Sequence, residues 1–302
     1  MGKKIFKIMA CFLLIIVWAA AIYFAGKSNN LCFGIIGILM SFFIVFPMNY
    51  FHQLVQDISC KQRWQKSQKR LEREGKLTKT TPVRISFAYL YQIKVGDKYL
   101  LVPNMRNTGK YQPVGGVYKM KAKEKEVLSV KFHIIDDDKI MPDVASRNDY
   151  RLKMRNEYLR KFVRRFNKTS DREKIENLGR EFKEELLYTG ILDWKTITYR
   201  YCGRHMSDLK FSDHFQIYEL LLADIVELLP TEEQERDLKE MMAVKTELYA
   251  FATAEEIQSL GIDTNRGELH EWIADHSMKI LQENESTLLK MKNTGKKYTV
   301  SL

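Results

Sequence analysis

The sequence predicts an α+β domain carried behind an apolar N-terminal helical hairpin. Three observations carry this. Two uncharged runs, Ile8–Gly26 and Leu31–Phe51, flank the polar tip Lys27-Ser28-Asn29-Asn30. Val83–Val95 and Tyr99–Pro103, rich in β-branched and aromatic residues, flank a Gly96-Asp97-Lys98 turn. Finally, Asp171–Leu187 reads as a helix with Ile175, Leu178, Phe182, Leu186 and Leu187 on one side, before strand signals return at Phe211–Leu222.

The apolar runs come first. At 19 and 21 residues, each meets the ~20 needed to cross a hydrocarbon core about 30 Å thick. The short tip makes the two helices antiparallel. A signal peptide is the competing reading of the first run, but its length and the second run at once behind it argue against one. Lys3, Lys4 and Lys7 precede the hairpin, and eight basic residues from Lys61 to Lys79 follow it, whereas the tip carries Lys27 alone. Both termini are therefore expected on the cytoplasmic side, with a lipid bilayer as partner. The predicted organisation is a hairpin over 1–51, with spans near 8–26 and 31–51, a basic stalk over 52–80 and a soluble domain over 81–302.

Charge narrows the function classes. The chain carries +11 overall, but residues 1–79 hold 12 Lys+Arg against 3 Asp+Glu, so most of the surplus belongs to the membrane end. Such a distribution does not suit a general nucleic-acid coat, and no DNA partner is expected. The four cysteines lack metal-ligand spacing, which fits a reducing compartment.

Within the soluble domain two features carry chemistry. Gly115-Gly116 allows tight turns and close ligand approach. Arg180-Glu181-Phe182-Lys183-Glu184-Glu185 places Glu181, Glu184 and Glu185 on one helix face, where Arg180 can pair with and orient Glu184. Three carboxylates together call for a divalent cation or a basic group, Mg²⁺ being the cation that prefers such ligands; a solvated acidic face is the bland alternative.

The order strand, turn, strand, Gly-Gly, then Arg-Glu-Φ-X-Glu-Glu resembles the Nudix fold, and implies an α/β/α sandwich. The usual box runs Gly, five residues, Glu, seven residues, then Arg-Glu-Φ-X-Glu-Glu-X-Gly-Φ. Gly116 matches the opening glycine, and Arg180, Glu181, Glu184 and Glu185 match the second half. Ala122 stands at the first Glu position and Leu187 at the closing Gly, while 63 residues separate Gly116 from Arg180. A long insertion, about 119–172, splits the box. Further on, Glu247–Ile257 is similar to a Nudix ending, a strand leading into a Thr-capped helix.

A membrane hairpin joined to a split-box Nudix-like domain is similar to the two-transmembrane Nudix effectors of CBASS, the bacterial cyclic-oligonucleotide anti-phage systems. The resemblance implies an inner-membrane protein whose cytoplasmic domain binds a cyclic di- or oligonucleotide made by a partner nucleotidyltransferase. Hairpins of a homo-oligomer would then cluster and damage the membrane, in abortive infection. That role requires no cofactor. The alternative is a membrane-tethered Nudix hydrolase of nucleoside diphosphate derivatives, with Mg²⁺ held by Glu181, Glu184 and Glu185.

The insertion supplies candidate ligand contacts. Arg147–Lys168 holds nine Lys+Arg against Asp149 and Glu157, interleaved with Tyr150, Tyr158, Phe162 and Phe166. The same pattern reads either as a nucleotide-binding surface or as an amphipathic helix with a solvated basic face. Gly115, Gly116, Arg147, Arg151, Arg155, Arg164 and Arg180 are the expected nucleotide-binding residues.

Overall fold

The computed structural model describes residues 2–27, 62–104, 109–137, 147–263 and 267–302, with isolated positions between 35 and 51. The chain divides into two compact units, 1–70 and 71–302.

In the first unit, α1 spans Gly2–Lys27. Met9–Lys27 is long and apolar enough to cross a membrane, with a mean hydropathy of 2.3. Most of the expected second span, 31–51, lies outside the described residues. Two contacts nonetheless relate it to α1. The Phe12 and Phe51 ring centroids are 5.8 Å apart. A Cβ at Gly37 would sit 3.3 Å from that of Ala25. Position 51 thus meets the first half of α1 and position 37 its end, the order expected of antiparallel segments. The stalk is described from residue 62 onward, and its helix, α2, spans Arg63–Arg73.

The second unit is built on an eight-stranded sheet. Its strands are β1 (Pro82–Gln92), β5 (Gly115–Val117), β6 (Ile135–Asp136), β7 (Arg151–Arg155), β8 (Thr196–Met206), β9 (Lys210–Ser212), β10 (Ile217–Leu228) and β14 (Lys297–Ser301). The order is β14-β8-β10-β1-β7-β6; β5 also pairs with β1 and β9 with β10. β1 and β10 run parallel along their whole length. A smaller sheet joins β2 (Lys94–Val95), β3 (Lys98–Pro103), β4 (Tyr111–Gln112) and β11 (Ala250–Thr253). The short pair β12 (Ile262–Asp263) and β13 (Glu268–Leu269) projects separately.

The predicted strand–turn–strand is present as β1, β2 and β3. The expected strand over Phe211–Leu222 is broken: β9 turns through residues 213–216 into β10, which runs on to Leu228. Phe211 is consequently exposed.

Helices cover both faces of the large sheet. On one, the Phe87 ring meets Phe162 and Phe166 of α4 (Asn156–Phe166) at 5.8 and 4.8 Å, and Tyr91 meets Phe182 of α5 (Gly179–Phe182) at 5.5 Å. On the other, Leu90, Ala223 and Ile225 pack with Ile257 of α7 (Ala254–Gln258) and with Ile280 and Leu281. Alternation along β1 sends Phe87, Tyr89 and Tyr91 one way and Leu90 the other. An α/β/α arrangement follows.

The insertion is part of this core. β7 pairs with β1 over Pro82–Ser86, on the same edge where β5 pairs over Ala88–Leu90. Leu159, Phe162, Val163 and Phe166 of α4 are buried, so its apolar stripe packs inward, while Lys161 and Arg164 face out and Arg165 turns to buried Glu124. The insertion also carries α3, Ala122–Phe132.

Candidate functional site

The expected helix over Asp171–Leu187 begins only at Gly179. Residues 171–178 are instead drawn out beside the start of the insertion: Met120 bridges Arg172, and Lys121 N–H donates to the Asp171 carbonyl at 2.9 Å. After α5 the chain makes a wider π turn over Lys183–Leu187, and the Tyr188 N–H bonds the Lys183 carbonyl, five residues back, at 2.9 Å.

This geometry reassembles the split motif. Gly115 and Gly116 lie on β5, against the middle of β1. Any Cβ at Gly116 would overlap the Glu181 carboxylate, so glycine lets Glu181 lie directly on the strand. Gly115 has φ +146°, and a Cβ there would run into the Tyr89 carbonyl. Its N–H donates to Glu185 Oε2 at 2.8 Å.

Arg180 sits at the centre. Its Nη1 reaches Glu181 Oε1 at 2.6 Å and Glu184 Oε2 at 3.2 Å, as its sequence position suggested. Nη2 donates to the Val117 carbonyl at 2.9 Å, tying the helix to β5. Glu173 takes two further bonds, from Nε and Nη2, both 3.2 Å.

Sequence reasoning missed Glu173. Counted forward from Gly116, the first box carboxylate falls on Ala122. Counted back from Arg180, the usual spacing lands on Arg172, with Glu173 next to it. The insertion therefore falls between the opening glycine and this carboxylate, and Glu173 answers Arg180 from one place out of register. Counting backward from the helix was the signal that could have found it.

A Nudix-type arrangement with a structural ion pair and a helix laid on a Gly-Gly strand is now in place. The chain belongs to the SMODS-associated NUDIX domain family. The family match covers residues 82–281. Neither a curated protein nor a solved structure matches the chain.

In this SMODS-associated NUDIX domain the carboxylates are not disposed as a metal site. Burial pushes the Glu185 carboxyl up to about 8, against the lowering effect of the Gly115 N–H, so it is largely protonated at neutral pH. Burial also raises Glu181, while Arg180 opposes the shift. Among the described residues no three His, Cys, Asp or Glu side chains converge as metal ligands. As arranged, Glu181, Glu184 and Glu185 do not fit Mg²⁺: two serve Arg180 and one serves a backbone N–H.

A polar cleft of about 690 Å³ opens along the outer face of the box helix. Lys121, Arg172, Lys174, Arg180, Lys183 and Tyr188 contribute to its lining, together with the acids Asp171, Glu173 and Glu184. The arginines are occupied. Arg172 donates to the Phe166 and Glu173 carbonyls and lies 3.9 Å above the Phe166 ring centroid. Lys121, Lys174 and Lys183 have no ion pair among the described residues, and Tyr188 is 76% exposed.

Of the residues predicted to bind nucleotide, only Arg180 lines this cleft. Gly115 and Gly116 lie beneath the carboxylates of the helix. Arg151 is largely buried and 3.6 Å from Asp149, whose main partner is Lys119. Arg155 pairs at the surface with its neighbour Glu157 at 3.5 Å. Arg147 and Arg164 are exposed. A second feature that the sequence concealed is Arg204, which grips buried Asp224 through Nε and Nη2 at 2.7 and 2.8 Å, while Tyr118 and Tyr201 hydroxyls donate to the same carboxylate. These partners converge from β8, β10 and the chain just after β5, so no local pattern marked them.

Proposed function

We propose that this chain is a two-span inner-membrane effector of a bacterial anti-phage system, its Nudix-like domain sensing a cyclic di- or oligonucleotide. Family membership supports the SMODS context. The apolar helix and the antiparallel contacts Phe12–Phe51 and Ala25–Gly37 support a hairpin anchor.

The observation that carries the ligand reading is the cleft. Three lysines without ion pairs, beside an exposed tyrosine, offer charge for phosphates and a ring for a base. The cleft is lined by five cations, Lys121, Arg172, Lys174, Arg180 and Lys183, against Asp171, Glu173 and Glu184, a net +2, so an anion is still attracted to it. The engagement of Glu181 and Glu184 by Arg180, with no converging set of metal ligands among the described residues, disfavours the Mg²⁺-dependent hydrolase. Ligand binding then acts by favouring an assembled state of the hairpins, which requires tighter binding to that state than to the resting one.

The test is binding of cyclic di- and trinucleotides to the full chain in detergent. A Lys121→Ala, Lys174→Ala, Lys183→Ala triple variant is expected to bind at least tenfold more weakly, with a shallower salt dependence. Unchanged affinity and salt slope would remove the cleft from the ligand site.

A further inference from the structure

Residues 242–272 hold most of the large apolar side chains that the second unit exposes. Eleven such side chains are exposed over residues 71–302 among the described residues, and seven of them fall between Met242 and Trp272. Val244 and Trp272 are each 59% exposed; Leu248, Leu260, Ile262 and Leu269 are 53, 40, 45 and 44% exposed. Isolated apolar residues on a surface need no explanation, but a cluster of this kind marks an interaction site.

Two of the seven, Met242 and Val244, line a cavity of about 320 Å³, bounded by the loop 242–246, by β11 and by His270, Glu271 and Ile273. Tyr249 and Phe251 form an aromatic wall, their centroids 6.0 Å apart and their rings nearly perpendicular. Buried Ala252 and Ile273 lie deeper. Between the lining residues Glu271 and Ile273 the chain carries an exposed indole, Trp272, whose carbonyl accepts the Tyr111 N–H at 2.7 Å. An exposed aromatic knob on a segment that also bounds an aromatic-walled hole suits an isologous contact, in which a two-fold axis presents each knob to the other copy.

Charge distinguishes the occupant. Lys98 and Lys245 fringe the patch together with Glu247, Glu268 and Glu271, and none of the five has an ion pair among the described residues. A surface with unanswered charges of both signs is complementary to itself. An anionic lipid surface would be repelled by the three glutamates, and a strongly acidic or basic partner would meet like charge.

We propose that this patch is the interface through which two copies of the chain associate. This rests on the clustering reading above and names the surface that performs it. The cleft of Lys121, Lys174 and Lys183 shares no lining residue with the patch, so ligand and partner copy do not compete for side chains. Anchoring in one membrane raises the effective concentration of copies, so a modest interface suffices.

The experiment measures the mass of the full chain in detergent across a concentration series, with and without a cyclic dinucleotide. Wild type is expected to associate, and more readily with ligand. A Leu269→Glu, Trp272→Glu variant should need at least tenfold more protein to do so, with an unchanged melting temperature because both side chains are exposed. Lys245→Glu should also weaken association, and mixing it with a Glu268→Lys, Glu271→Lys chain should restore a mixed dimer. A wild type that stays single throughout, a Trp272 variant that associates like wild type, or a mixture without rescue would each overturn the interface. So would a mononucleotide that fills the cavity and protects Trp272 without a change in mass. Failure of the sensor reading looks different: no cyclic nucleotide bound by wild type, while its association and the effect of the Trp272 variant persist.

Discussion

The basic segment Arg147–Lys168 and the cleft are both rich in cations, and they hold them differently. In the segment, part of the charge is spent on structure. Arg165 clamps Glu124, a side chain with no solvent exposure, through Nε at 2.9 Å and Nη2 at 2.5 Å, and Thr169 adds a hydroxyl at 3.0 Å. Arg151 and Lys119 enclose Asp149 in the same way. In the cleft, the lysines have no such partners. Density of positive charge along the sequence therefore pointed in part to a scaffold, while the surface proposed to receive an anion draws on lysines at 121, 174 and 183 that are scattered in sequence. What locates a binding surface is the absence of a partner, and that is a property of the fold.

The largest effect expected from this contrast is on the clamp. Arg165→Ala leaves a buried carboxylate without its cation and should cost about 3 kcal/mol, the lower end for a broken buried pair because Arg165 is itself partly exposed. Chemical denaturation of the full chain measures it. A loss under 1 kcal/mol would return Arg165 to the pool of cations available for ligand.

The next effect concerns a buried carboxyl with no cation beside it. Glu185 in the folded chain holds its proton up to about pH 8, above its unfolded value. The native state then binds more protons than the unfolded one between those two values, so stability falls as pH rises through that window and levels off beyond it. Glu185→Gln keeps an acceptor for the Gly115 N–H and cannot ionise. Relative to wild type it should gain about 2 kcal/mol between pH 6 and pH 8. Parallel stability curves for the two proteins would show that Glu185 is ionised and paired in the native state.

The smallest effect sharpens the comparison from the other side. Arg155→Ala with Arg164→Ala removes two exposed cations of the insertion and should change stability by less than about 0.5 kcal/mol. Cyclic nucleotide affinity should also stay within twofold of wild type. A loss as large as that of the cleft lysines would make the basic helix face part of the ligand site after all.

Much of the architecture was legible in local pattern. The strands β1 to β3 followed from β-branched and aromatic runs around a Gly-Asp turn. The capping box at Thr253, accepting from the Glu256 N–H, was signalled by Thr and Glu at the right spacing. The amphipathic stripe of α4 was visible, but whether its charged face served ligand or solvent was not. The Asp171–Leu178 segment was misread because its apolar spacing fits a helix, whereas its backbone is committed to the chain entering the insertion at Lys119–Lys121. The site was least legible where partners are distant: Glu173 was hidden by the register of the insertion, and the Asp224 cluster by contacts between three separate segments.

The divided box also bears on how the chain acquires its structure. Gly115 and Glu185 are 70 residues apart in sequence yet share a hydrogen bond. Lengthening the connecting loop more than fourfold over the undivided motif costs roughly 1.3 kcal/mol of closure entropy, which the buried face of α4 must offset. Contacts of such long range form slowly. At a synthesis rate of about 5–20 residues per second, the glycine strand leaves the ribosome several seconds before its helix exists. During that interval the box has no glutamate to lay on Gly116, and the insertion, with β7 and α4 arriving first, is available to occupy the edge of β1 and hold the sheet until the helix is made.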